Sequence, residues 1–152
     1  MYIDKKLFSE QVILQQQEMK NKQAALTILA NELQRKNVVN AEFLPAILKR
    51  EEKYPTGLAL EGGLGVAIPH TDPDKVEKEQ LGFISLKEPV KFRQMGDIDS
   101  YVNVSMIFIL CLKSPDKQLN MLKSLMTMFT DTVTMKEIQN STTRAEFLAI
   151  VN

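Results

Sequence analysis

The sequence predicts an α/β domain, and three observations carry that prediction. Apolar residues recur at helical spacing toward both ends of the chain, the middle is rich in turns and short apolar runs, and one long β-rich segment, Val102 to Leu112, is apolar almost throughout. The last is the expected look of a central strand covered on both faces. With 152 residues, 44% of them hydrophobic and 25% charged, residues 1–152 have the size and make-up of one domain that stands without disulfides or structural metal. The expected architecture is a mixed sheet of about five strands with helices on both faces.

Each element has a local reason. Gln11 to Leu14 is a short apolar run, expected as the first strand. From Asn21 to Lys36, Ala25, Ile28, Leu29 and Leu33 fall at helical spacing, and Asn37 ends the run. A second helix is expected from about Asn40 to Arg50, with Asn40 as N-cap and Phe43, Leu44, Ile47 and Leu48 on its apolar face. Pro45 lies near its first turns, where proline costs less than in mid-helix. Tyr54 to Gly57 reads as a turn, Leu58 to Leu60 as a short apolar run and Gly65 to Ile68 as a strand after the Gly62-Gly63 turn. Leu81 to Leu86 and Val90 to Phe92 read as two further strands. Ser114-Pro115 opens a helix as N-cap and first helical residue, with Leu119, Leu122, Leu125, Met126 and Phe129 as its core face. A short helix around Thr134 to Gln139 follows, and a last one begins at Thr143 with Glu146 in capping-box spacing.

Composition excludes several functions. Nineteen basic and nineteen acidic side chains cancel, and no Lys/Arg block of the length a nucleic-acid binder uses is present. The apolar run at Val102 is too short to span a bilayer, and the N-terminus lacks the apolar stretch of a secretion signal. A lone cysteine, Cys111, is most at home in a reducing compartment, so a cytoplasmic protein is expected, with Cys111 buried and inert. The start at Met1 and the lack of a linker at Asn152 suggest a free-standing subunit.

One segment carries chemistry. His70, the only histidine, follows Pro69 in Gly65-Val66-Ala67-Ile68-Pro69-His70-Thr71-Asp72. Proline lacks a donor and stops the strand, so the imidazole is delivered to a loop at the sheet's end, where functional groups of α/β sheets gather. An ordinary exposed loop histidine is the plain alternative. No second histidine or CxxC supplies a metal cluster, and no Ser–His–Asp or Cys–His spacing is defensible. Gly62, Gly63 and Gly65 do not make a nucleotide fingerprint, and they read as turn residues near the site. Met121, Met126 and Met128 read as helix core, with a docking surface as the alternative.

The run GVAIPHTD, preceded by Arg50-Glu51 and by Tyr54-Pro55-Thr56-Gly57, resembles the phosphorylation-site region of the enzyme IIA domains of the phosphoenolpyruvate-dependent sugar phosphotransferase system, fructose–mannitol class. The similarity in element order runs from about Gln11 to Val151. Two departures point within that class. The Gly57–Gly65 segment is a few residues longer than in mannitol or nitrogen-regulatory members and resembles the galactitol branch. Gln118 stands where those members carry a second histidine.

The resemblance implies a phosphotransferase component: His70 accepts a phosphoryl group from the carrier protein HPr and passes it to a cysteine of an enzyme IIB, with no cofactor or metal. Arg50 would steady the phosphoryl oxygens with its planar, permanently charged fork. Gln118 and the Thr56 hydroxyl would add hydrogen bonds, and Asp72 would orient one imidazole nitrogen. At a helix end Arg50 is otherwise a solvated dipole partner, Gln118 a surface amide and Thr56 a turn residue. The implied system imports a sugar, galactitol or a related polyol, and the domain meets the membrane permease only through IIB. A regulatory domain of the nitrogen type, which signals by binding a protein, is the alternative, and a ligand-binding domain with an incidental His70 is a third.

Overall fold

The computed structural model describes residues 2–152. Its elements in chain order are β1 (Ile13–Gln17), α1 (Lys22–Arg35), α2 (Phe43–Lys53), β2 (Gly57–Ala59), β3 (Gly65–Ala67), β4 (Gln80–Gln94), β5 (Asp97–Cys111), α3 (Pro115–Phe129), α4 (Thr132–Asn140) and α5 (Arg144–Val151), with 3-10 turns at Lys5–Phe8 and Pro73–Lys75. All five strands belong to one mixed sheet. β4 and β5 form a long antiparallel hairpin, and β1 runs parallel to β4. β3 runs parallel to β5 and antiparallel to β2, whose Gly57 also meets Gln94 of β4. Pairings therefore close a ring through β4, β2, β3 and β5, with β1 outside it on β4.

The α/β expectation holds, and a central strand covered on both faces is present over Met106 to Cys111, although β5 begins earlier, at Asp97, and turns Asn103 and Ser105 of its outer half away from the core. In β5, Ile107, Ile109 and Cys111 pack toward one core while Phe108 and Leu110 pack toward the other. The first core is closed by α1 and α2 through Leu26, Leu29, Leu33, Phe43 and Ile47. The second is closed by α3, α4 and α5 around an aromatic cluster in which Phe83 lies 4.4 Å from Phe147 and 4.9 Å from Phe108. Two capping residues act as expected, Ser114 accepting from the Lys117 amide at 3.2 Å and Thr143 from Glu146 at 3.2 Å, and Asn21 caps α1 in the same way by accepting from the Ala24 amide at 2.8 Å.

Other expectations need correction. The two runs Leu81–Leu86 and Val90–Phe92 are one strand, because the exposed Lys87-Glu88-Pro89 insert is absorbed as a register shift between Ser85 and Val90 and does not end the pairing. The first strand begins two residues later than expected and ends three later, at Gln17. Its polar Gln15 and Gln16 belong inside it because their amides donate to groups at the end of α4 and just beyond: Gln15 Nε2 to Ser141 Oγ at 3.0 Å, and Gln16 Nε2 to the Gln139 carbonyl at 2.7 Å. Helix α2 starts at Phe43, not Asn40, and runs past Arg50 to Lys53. Asn40 instead forms a local turn by accepting from the Glu42 amide at 3.0 Å. The core face of α3 is Leu125, Met128 and Phe129, with Met121 and Leu122 half-buried, while Leu119 and Met126 are exposed. The three methionines are thus divided between core, margin and surface. No helix among the described residues is long and apolar enough to cross a membrane.

Strand β3 reaches its place only because its first residue has no side chain. A Cβ on Gly65 would lie 2.0 Å from the Asn103 carbonyl oxygen of β5, an atom that cannot swing aside. Gly65→Ala is expected to lower stability by about 1–3 kcal/mol, read as a lower urea midpoint with unchanged slope.

Candidate functional site

Strand β3 is registered to β5 through Val66↔Met106 and Ala67↔Ile107, and the Pro69 carbonyl still accepts from the Leu110 amide at 3.0 Å. Pro69 has no N–H to continue the ladder, so the chain leaves the sheet and presents His70, half-buried, at the carboxyl end of β3. The ring is held by its own chain: Nδ1 lies 2.8 Å from the Ile68 carbonyl oxygen. A carbonyl only accepts, so Nδ1 carries the proton and Nε2 keeps the lone pair. Burial pushes the His70 pKa below its ordinary value of 6.5; the Ile68 carbonyl opposes this, and the Arg50 guanidinium pushes in the same direction as burial. The orienting partner of the imidazole is therefore a backbone carbonyl, and Asp72 does something else.

Arg50 comes from the last turn of α2. Its Nη1 lies 4.0 Å from Asp72 Oδ1, and its guanidinium lies over the Tyr54 ring at 5.4 Å. The side chains of Arg50 and Asp72 are 38% and 76% exposed, so the pair is weak and easily exchanged for a stronger anion. From the other helical layer, Gln118 in the first turn of α3 donates through Nε2 to the Thr71 carbonyl at 3.2 Å, bracing the residue after His70. The two residues after His70 are therefore met by side chains of both layers, Asp72 by an arginine from α2 and Thr71 by an amide from α3.

Thr56 is tied into the protein. It is 4% exposed, its amide donates to Glu51 Oε1 at 2.7 Å and its hydroxyl reaches Glu51 Oε2 at 2.9 Å. The hydroxyl is thus engaged by Glu51, where a phosphoryl contact was expected. In the sequence Glu51 stands only as part of the Arg50-Glu51 motif. The signal that marks it is its spacing: Phe43, Ile47 and Glu51 continue one buried stripe of α2, which a carboxylate joins only for a reason. Gly62 and Gly63, both at φ 86°, turn the β2–β3 hairpin at the end of β3 remote from His70, not beside the site. Cys111 is fully buried, and burial alone drives its thiol pKa far up, so it is unreactive.

A short strand that runs parallel to β5 and hands a tethered histidine to a loop contacted from both helical layers defines a small α/β domain built around one imidazole. Residues 6–152 match the model of the family described as phosphoenolpyruvate-dependent sugar phosphotransferase system, EIIA 2, and the chain belongs to that family. It is 33% identical over 100 residues to the PTS system galactitol-specific EIIA component of Escherichia coli K12, a match covering 66% of this chain and 65% of the relative. The matched segment thus spans just under two thirds of that relative's length. Its fold is similar to that of the nitrogen regulatory protein IIA-Ntr from Neisseria meningitidis (TM-score 0.77, 27% identity, 94% of each chain). It is also similar to the structure of enzyme IIAMTL solved with phosphorylated enzyme IIBMTL of Escherichia coli (TM-score 0.74, 22% identity, 94% of each chain).

The depressed His70 pKa has a consequence for stability. The unfolded chain binds a proton near 6.5 and the folded one only at lower pH, so His70 contributes stability that is complete above pH 6.5 and is lost as pH falls through the folded value. A proton NMR titration of the imidazole should give a midpoint below 6.5, and removing the histidine should flatten that part of the stability–pH curve.

Proposed function

We propose that this chain is the phosphoryl-carrying EIIA component of a sugar phosphotransferase uptake system of the galactitol-related kind, acting in the cytoplasm through His70. The observation that supports it most is the tethered ring: with Nδ1–H held by Ile68, the nucleophilic lone pair is confined to Nε2 beside a guanidinium. Nε2 attacks the phosphorus of phospho-HPr. The new N–P bond forms as the donor's P–N bond breaks and its electron pair returns to the donor imidazole. In the second transfer a thiolate of enzyme IIB attacks, the P–S bond forms, and the His70 N–P bond returns its pair to Nε2. Such transfer needs little beyond positioning and charge around the equatorial oxygens. A lowered pKa keeps the ring neutral and nucleophilic at pH 7.

In this reading Arg50 leaves the weak Asp72 contact to grip the phosphoryl oxygens, its fork matching two of them at once. Gln118 holds the Thr71 carbonyl, which keeps the His70 loop in place, and the second N–H of its amide is the candidate further donor. Thr56 acts from within, by fixing Glu51. Enzyme IIB as partner is supported by the IIAMTL–IIBMTL complex, whose IIA fold this chain shares. HPr as donor and galactitol or a related polyol as the transported sugar rest on the family and on the galactitol-specific relative.

The 27% identity to the nitrogen regulatory protein supports a second reading, in which the same phosphorylation controls binding to a regulatory target. Transfer onward to an enzyme IIB cysteine separates the two, because a pure regulator delivers no phosphoryl group there.

With phosphoenolpyruvate, enzyme I and HPr, the protein should gain one acid-labile, alkali-stable phosphoryl group by intact mass, and His70→Ala should gain none. Phosphorus–proton NMR should place it on Nε2. Arg50→Met should slow transfer on the order of a hundredfold, and Arg50→Lys should recover part of that because charge returns without the fork. An active relay that leaves the wild-type protein unlabelled would overturn the carrier reading and the regulatory one alike.

A further inference from the structure

Glu51 is the one charged residue in the buried set of the described residues, at 2% exposure, and no ion pair within 4.0 Å neutralises it. Its two oxygens are served by a single residue, Thr56, through the amide and the hydroxyl. Burial pushes its pKa up, against which the Thr56 donors and the charge of Lys22 act. A leucine or methionine on this face of α2 would pack without that desolvation cost, so the carboxylate calls for a task.

The task is visible in what it joins. On one side Glu51 is the neighbour of Arg50 in α2, whose last turn is closed by the Tyr54 amide on the Arg50 carbonyl at 2.7 Å. On the other side Thr56 leads directly into Gly57, which pairs with Ala67, the last residue of β3 and three residues before His70. Gly57 cannot drift to compensate, since it is packed so closely that a Cβ there would lie 2.7 Å from the Arg93 carbonyl. Four residues of chain separate Glu51 from Thr56, and the carboxylate ties the two ends of that segment together.

We propose that Glu51 is a positioning residue for phosphoryl transfer: its clamp on Thr56 locks the helix that carries Arg50 to the hairpin that carries His70, and so sets the spacing between guanidinium and imidazole. This rests on the carrier reading for its kinetic consequence, but the spacing itself is measurable without it. Glu51 touches neither donor nor acceptor and acts only through Arg50. A misplacement of this kind is worth about ten- to a hundredfold in transfer rate.

The test uses Glu51→Ala, Glu51→Gln, Thr56→Val and Thr56→Ser, each checked for its amide NMR spectrum, with two readouts: the rate of His70 labelling by phospho-HPr and the imidazole titration of His70. Glu51→Ala should slow labelling and let the His70 midpoint rise, as Arg50→Met does, because the guanidinium no longer keeps its place. Glu51→Gln retains an acceptor for the Thr56 amide and should restore most of both. Thr56→Val should show a weaker loss that Thr56→Ser recovers. In the double variant with Arg50→Met, Glu51→Ala should add little, since both act on one contact. Folded Glu51→Ala and Thr56→Val with wild-type rate and titration, or losses that multiply with Arg50→Met, would overturn the proposal. If Glu51→Ala does not fold, Thr56→Val against Thr56→Ser decides the matter. If wild-type protein is never labelled, the carrier reading fails, and the titration of His70 still decides the spacing.

Discussion

The antiparallel pairing of β4 with β5 is the constraint on which everything else hangs. It runs from Gln80↔Cys111 at one end to Gln94↔Asp97 at the other, and every remaining strand is attached to one member of the pair. Because the inner half of β5 is apolar on both faces, the hairpin demands a helical layer on each side, and the chain supplies α1–α2 before it and α3–α5 after it. β3 is too short to stand alone; its register on Met106 and Ile107 fixes where it ends, and the Leu110–Pro69 hydrogen bond carries that register to the residue before the histidine. The position of His70 is thus set by backbone pairing in the middle of the sheet.

The site lies past the carboxyl end of β3, where both helical layers send a side chain to the loop that carries His70. Arg50 belongs to the helix that closes one core and Gln118 to the helix that closes the other, and His70 emerges from the strand between them. Each of the three is held by backbone or by a buried group at one remove: Ile68 for the ring, Thr71 for Gln118, Glu51 with Thr56 for the turn behind Arg50. The layout leaves a titratable group in only one of the three positions that face the loop, since glutamine stays neutral and arginine stays charged at any working pH.

Some of this was legible in the sequence because it depends on single residues with fixed conformational habits. Pro69 ends a strand, Ser114-Pro115 opens a helix, and Met106 to Leu112 has no polar face to offer solvent. What was illegible depends on pairing between distant segments. The continuity of β4 through Lys87-Glu88-Pro89 is decided by β5, and the glutamines of β1 are decided by the carbonyls at the end of α4. The tether of His70 was hidden for a different reason: a backbone carbonyl two residues back has no side chain to announce it, so Asp72 seemed the natural partner. Glu51 was hidden in plain view, as a carboxylate completing the Phe43–Ile47 stripe.

On the carrier reading proposed above, His70 must hold its phosphoryl group firmly enough to survive the encounter between donor and acceptor, yet lightly enough to give it up. The two influences that lower the His70 pKa act in opposite directions on a phosphoryl group. Burial that disfavours an imidazolium also disfavours an anionic adduct, whereas the guanidinium that repels the imidazolium attracts the adduct. A fully buried arginine clamp would deepen the well and slow the second transfer; a fully exposed one would be screened and leave the adduct unsupported. Arg50, 38% exposed, stacked on Tyr54 and only loosely engaged by Asp72, lies between these limits. The clamp behind it has to be stiff for that intermediate strength to be reproducible, and a buried carboxylate with both oxygens bound to one residue is a stiff element to build from.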